Sequence, residues 1–217
     1  MEGKVLDPNK DSVVLDDALT MSWAPHLRSN ESVRRIMLDV IIALTPAMIG
    51  SIYYFGLSAL KLILISVVSA VLFEAGTQKL FKKDILIGDL SAVVTGILLA
   101  FNLPANAPWW IAVFGAGFAI IIVKEFFGGI GSNFMNPALA ARAALVASWP
   151  SIMSNYINPD GIASATPLAI MKQGSTALPS ITRMLTGEIG GSLGETSAIL
   201  LLIGAAYLLI RKVIDWK

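Results

Sequence analysis

The chain has 217 residues, of which 55% are hydrophobic and only 14% charged, with a formal net charge of +1. A mean hydropathy of +0.72 excludes an ordinary soluble domain and implies an integral membrane protein in contact with lipid. The near-neutral charge excludes nucleic-acid binding through a basic patch. With no cysteine and a single histidine, His26, the chain can form no disulfide and hold neither an iron–sulfur cluster nor a bis-histidine haem. If electrons pass through it, the carrier is organic, a flavin or a quinone.

In chain order, the first thirty residues are polar and of mixed charge, without the apolar stretch of a cleavable signal. They are expected to form a cytoplasmic N-terminal arm over 1–32. A helix needs about 20 apolar residues to cross about 30 Å of hydrocarbon. Segments 33–55, 57–80, 86–103 and 108–127 approach or meet that length, 135–150 is short, and a sixth runs over 193–211. The expected fold is an all-α polytopic membrane protein with about six transmembrane helices. Five of them occupy 33–150, a loop covers 151–192, and the sixth helix with a short tail covers 193–217.

Orientation follows the basic residues. Arg28, Arg34 and Arg35 precede the first span, Lys79, Lys82 and Lys83 follow the second, and Lys124 ends the fourth. The uncharged link from Leu103 to Pro108, followed by Trp109 and Trp110, suits the opposite interface. With Arg211, Lys212 and Lys217 after the sixth span, both termini are expected in the cytoplasm and loop 151–192 outside, in a multi-pass membrane protein.

The fifth segment follows the glycine-rich run Gly128-Gly129-Ile130-Gly131 and starts at Asn136-Pro137. Asparagine as N-cap and proline at the first helical position make a helix start with a mechanism. The helix to Trp149 is too short to cross alone. It reads either as a short span or as the broken helix that marks sites in inverted-repeat transporters.

Asp39, Glu74 and Asp89 lie in or beside spans, where a charge needs a partner or water. They suggest the inner mouth of a cation path; alternatively Asp39 and Glu74 pair with Arg35 or Lys79, and Asp89 caps the third helix. Arg142, inside the fifth segment, calls for an anionic partner, either a flavin group or an acid on a neighbouring helix. Lys124 and Glu125 read as an interfacial helix end, and Ser192 or Glu195 as the cap of the sixth helix. No catalytic residue and no metal-ligand set is singled out.

The stretch Asp160-Gly161-Ile162-Ala163-Ser164-Ala165-Thr166-Pro167-Leu168-Ala169 lies in the outer loop. Alone, Ser-Ala-Thr-Pro reads as a surface turn before a short helix. In context it resembles the segment by which a class of membrane flavoproteins carries FMN through a threonine. Further matching stretches are Ala24-Pro25-His26-Leu27-Arg28-Ser29, Ile36 to Pro46, Gly88-Asp89-Leu90-Ser91 to Gly96 and on through Phe101-Asn102-Leu103-Pro104, Asn136-Pro137-Ala138 to Ala147-Ser148-Trp149-Pro150, and Gly194-Glu195-Thr196-Ser197. Through these the chain resembles the D subunits of Rnf complexes, membrane-bound ferredoxin:NAD oxidoreductases that move sodium or protons. It is also similar to the homologous B subunits of sodium-pumping NADH:quinone reductases.

The resemblance implies covalent FMN as a phosphoester on Thr166, with Asp160, Ser164 and Arg142 around the flavin. It further implies a second, non-covalent flavin such as riboflavin, a flavin transferase for maturation, and partner subunits bearing the iron–sulfur clusters. The chain would then be a non-autonomous subunit of an ion-translocating oxidoreductase. Two departures stand out: Ala163 occupies a place commonly held by serine or threonine, and the family's two inverted five-helix repeats exceed the six spans read here. The chain is accordingly read as either truncated or naturally short. The competing reading is a passive channel or secondary transporter for a small solute, since a fold does not fix a function.

Overall fold

A computed structural model describes residues 32–83, 85–161, 166–172, 179–195 and 197–214. Residues 1–31 of the expected N-terminal arm, with His26, and the candidate residue Ser164 lie outside them. Among the described residues the protein is all-α, without strands; the one isolated bridge joins Pro104 and Ser192. It is a polytopic membrane protein.

The first two expected spans coincide with helices α1, Val33–Phe55, and α2, Leu57–Leu80. Of the described helices, these two are long and apolar enough to cross a membrane by themselves. The Ser32 side chain caps α1 by accepting from the Arg35 N–H. Gly56 alone separates the two helices at φ 62, a left-handed conformation that costs least without a Cβ. Their exposed residues include Leu38, Ile42, Ile49, Leu64, Val68 and Leu72, whereas Asp39 and Glu74 are buried. Apolar groups outward and charges inward are the arrangement that lipid selects.

The third expected span shortens to α3, Ser91–Phe101, preceded by a 3-10 turn at Ile87–Asp89. Leu90, at φ 65, breaks the path between them, and the Asp89 carboxylate accepts from both the Ser91 N–H and hydroxyl. Leu90, not Asp89, occupies the N-cap position, so Asp89 does not cap this helix as the alternative reading expected but braces its start through Ser91. The fourth span is α4, Trp109–Gly117, continuing as a π-helical turn over Phe118–Glu125. After the glycine-rich turn, α5 covers Pro137–Ser148, and Asn136 caps it by accepting from the N–H groups of Ala138 and Leu139.

A short α6, Pro150–Met153, opens the expected outer loop, which also contains α7, Pro167–Lys172, and α8, Ile181–Thr186. The sixth helix starts later than expected, as α9, Ala198–Ile210, with Ser197 as its cap. Neither Ser192 nor Glu195 caps it. Glu195 turns back to the Ser192 N–H, and the Leu193 N–H bonds the Leu103 carbonyl at 3.0 Å. These bonds hold Leu193–Glu195 as a 3-10 turn against the end of α3.

Residue pairing fixes the helix directions. Tyr207 and Arg211 meet Asp39, while Gly204 lies against Ala43 and Leu200 against Gly50, so α9 runs antiparallel to α1. A Cβ on Gly204 would strike the Ala43 carbonyl, a close approach typical of small residues between membrane helices. α3 is antiparallel to α2: Ser66 Oγ donates to the Gly96 carbonyl at 2.7 Å, and a Cβ on Gly96 would lie 2.7 Å from Val67 Cα. The core formed with α4 and α5 centres on Leu99, Ile111, Ile120 and Leu145. That contact sets the polar end of α2 against the start of α3 and the π-helical turn.

Candidate functional site

The principal polar site is built where those three elements meet. Glu74 and Gln78, one turn apart on α2, share a face. The π-helical turn carries Lys124 and Glu125 inward as consecutive residues, and α3 contributes Ser91. Lys124 Nζ lies 2.5 Å from both Glu74 Oε1 and Ser91 Oγ. The Ser91 hydroxyl donates onward to Asp89 Oδ1 at 2.8 Å. The Gln78 amide nitrogen lies 3.4 Å from Glu74 Oε1 and 3.3 Å from Glu125 Oε1, bridging the two carboxylates. Its carbonyl accepts the Leu86 N–H at 2.9 Å.

Lys124 and Glu125 are 2% and 3% exposed, which corrects their reading as an interfacial helix end. The π-turn, unreadable as such in the sequence, swings both toward the protein interior. Glu74 likewise pairs with Lys124 rather than Lys79. A cavity of about 460 Å³ opens beside the cluster, lined among others by Glu74, Gln78, Lys83, Asp89, Glu125 and Gly129.

Of the three acids read together, the structure unites Glu74 with Asp89 and separates Asp39. Asp39 accepts from the Tyr207 hydroxyl at 2.9 Å and Arg211 at 3.1 Å, making a clasp between α1 and α9 in place of the expected Arg35 pair. Arg142 is not fully buried, its side chain being 28% exposed. It donates to Asn102 Oδ1 at 2.9 Å and lies 3.8 Å from Glu195. The acid that answers it thus comes from a 3-10 turn rather than a neighbouring helix.

Thr166 is half-buried at the start of α7, where its Oγ1 accepts the Ala169 N–H at 3.3 Å. Asp160 is exposed in the turn closed by the Gly161 N–H on the Asn158 carbonyl at 2.9 Å. Among the described residues no hydrogen bond or ion pair joins Arg142 or Asp160 to Thr166. Ser164 lies outside the described residues.

The model of the NQR2, RnfD, RnfE family matches residues 20–217. The chain belongs to this family. It is 55% identical over 205 residues to the D subunit of the Na+-translocating ferredoxin:NAD+ oxidoreductase complex of Acetobacterium woodii, covering 92% of this chain and 64% of that protein. It is 38% identical over 221 residues to the D subunit of the proton-translocating ferredoxin:NAD+ oxidoreductase complex of Clostridium ljungdahlii, covering 95% and 67%. The D subunit of the ion-translocating oxidoreductase complex of Rhodobacter capsulatus is 37% identical, covering 88% and 63%. The chain spans roughly two-thirds of the length of these relatives.

For this NQR2, RnfD, RnfE family member, Thr166 fits a flavin phosphoester. Among the described residues its oxygen holds one long capping bond, and the side chains of Leu168 and Met171 beside it are exposed, leaving room for a bulky substituent on that side. The residues that sequence reasoning missed are Gln78 and Ser91, together with the true role of Lys124 and Glu125. The signal was present as two adjacent opposite charges at the end of an otherwise apolar segment, facing a Glu–Gln pair at helical spacing on another.

Proposed function

We propose that this chain is a membrane subunit of an Rnf-type complex that passes electrons between ferredoxin and NAD and couples them to Na+ or H+ transport. It carries FMN joined through its phosphate to Thr166. The observation that carries this reading is the 55% identity, over 92% of the chain, to the D subunit of such a complex. The capping position of Thr166 supports the attachment.

In a reaction run by a flavin transferase on a flavin dinucleotide donor, a bond from Thr166 Oγ to the flavin-side phosphorus would form as the pyrophosphate bond breaks, with the nucleoside monophosphate leaving and the Thr166 proton passing to solvent. Bound there, FMN supplies one- and two-electron transfer, while the protein sets its position and environment. The tether keeps the cofactor on a loop that otherwise exchanges it with solvent, and α7 limits the reach of the attachment point. Asp160 and Ser164 flank the threonine in sequence, and Arg142 provides a cation for flavin oxygens. Riboflavin is the expected second, non-covalent flavin.

Since the chain has no cysteine, iron–sulfur clusters belong to partner subunits, as do the ferredoxin and nicotinamide sites. The distribution of lysine and arginine supports cytoplasmic termini in a prokaryotic inner membrane, with Thr166 on the outer face. Ion coupling on the cytoplasmic side then falls to Glu74 and Asp89, which share a cavity wall. Asp39, held in its clasp, is left out.

The test is the intact mass and in-gel fluorescence of denatured chain made together with a flavin transferase, wild type beside Thr166→Ala. An FMN-sized adduct present in the first and absent in the second is the expected result. No adduct in the wild type refutes the covalent carrier.

A further inference from the structure

The cluster between α2, α3 and the π-helical turn sets two buried carboxylates against one buried ammonium. Glu74, Glu125 and Lys124 are 1%, 3% and 2% exposed, so the buried part carries one negative charge in excess. The other charged groups on the cavity wall lie outside this buried set: Asp89 is half-buried, and Lys82 and Lys83 are exposed, Lys83 reaching to 3.7 Å from Glu125 Oε2.

The excess charge has an address. Glu74 Oε1 meets both Lys124 and Gln78, whereas Glu74 Oε2 is buried with no hydrogen-bond partner among the described residues. A carboxylate oxygen withdrawn from water at membrane depth demands a compensating positive charge. Glu74 forms part of the wall of the 460 Å³ cavity, room for on the order of fifteen waters at their share of liquid volume. A hydrated ion can therefore come up beside Glu74, and it meets the buried Oε2 only on shedding its water. One excess charge suits one monovalent cation, whereas a divalent ion would leave the buried cluster net positive.

We propose that Lys124 is a tethered cation that competes with one mobile monovalent cation, Na+ or a proton, for the carboxylate pair Glu74 and Glu125. The proposal deepens the ion-coupling part of the reading above and rests on it. With Lys124 seated on Glu74 Oε1, the pair takes one mobile cation and the buried cluster becomes neutral. Ser91 Oγ, equally close to Nζ and anchored on Asp89, holds the ammonium at the same time, so Lys124 occupies one position shared between Glu74 and Ser91. The share of the ammonium that Ser91 takes from Glu74 sets how strongly the carboxylates hold the mobile ion. Lys124 is thus a positioning residue for the ion, and the π-helical turn is what sets it beside Glu125 on one inward face.

The test is infrared difference spectroscopy of the carboxyl stretch in the purified full chain, made without flavin transferase. Na+ is exchanged for a large organic cation at fixed pH, and separately pH is stepped without Na+. A band that follows Na+ supports a Na+ site, and one that follows pH and ignores Na+ supports a proton site. Either band is expected to vanish in Glu74→Gln and in Glu125→Gln. No response in the wild type, or a response that survives either substitution, overturns the proposal. In Lys124→Met the half-saturating cation concentration is expected to fall about tenfold, as one charge-assisted competitor is removed; an unchanged or raised value overturns the competitor role. Ser91→Ala, which leaves the ammonium to Glu74 alone, provides the same decision without unpairing Glu74: binding is expected to weaken, and unchanged binding overturns the competitor role. No flavin enters these spectra, so loss of the cation response and absence of a flavin adduct are separate results.

Discussion

Asp39 and Glu74 are carboxylates set in apolar helices, and the protein meets them in different ways. Asp39 has a partner for each oxygen, Tyr207 on one and Arg211 on the other, with Arg211 itself 39% exposed near a helix end. Among the described residues Glu74 has partners on one oxygen only, and its lysine is as buried as itself. The first is a finished clasp between α1 and α9 that water can reach. The second is an unfinished cluster beside a cavity, where the missing partner is what an ion or proton supplies. A charge in a membrane helix is therefore not by itself a sign of transport. What separates the two is whether the local structure already satisfies it.

The largest effect is expected where that contrast is broken at the buried end. Glu74→Ala leaves the Lys124 ammonium buried without its carboxylate, a loss of about 3–5 kcal/mol, measurable by denaturant unfolding followed through tryptophan fluorescence. Replacing Glu74 and Lys124 together by leucine is expected to recover most of that loss, because the cost lies in the unpaired charge. Should the double variant be no better than the single, the pairing is not what stabilises this end.

Next comes the close approach behind the clasp. Gly204→Leu forces a side chain against the Ala43 carbonyl and is expected to cost about 1–3 kcal/mol. Asp39→Asn is expected to lower Tm by less than Glu74→Ala, since a half-exposed Arg211 can turn to water. A larger loss at Asp39 would reverse the contrast. Smallest is Thr166→Ala, which removes one capping bond at about 1 kcal/mol or less, with Thr166→Ser restoring it. A nearly unchanged Tm keeps that variant a clean test of flavin attachment.

Hydrophobic length alone placed α1 and α2 to the residue, because their ends are set by Ser32 and by glycine. The Asn136-Pro137 start of α5 was equally legible, since capping chemistry is local. The start of α9 was not: a long-range bond from the Leu193 N–H to the Leu103 carbonyl holds the preceding turn, and no local pattern announces it. The polar cluster was half legible. Glu74 and Asp89 stood out as charges in apolar segments, but Lys124 and Glu125 read as an interface until the π-helical turn set them inward. Arg142 drew attention correctly as a cation needing a partner, yet Asn102 and Glu195 come from distant segments whose proximity only packing creates.

The central claim concerns Thr166, and the most direct measurement is peptide-level mass mapping of chain made with its flavin transferase. The tryptic peptide that ends at Lys172 contains both Thr166 and Ser164. Its fragmentation is expected to place an FMN phosphoester on Thr166. A peptide recovered wholly unmodified, or modified on Ser164, contradicts the assignment.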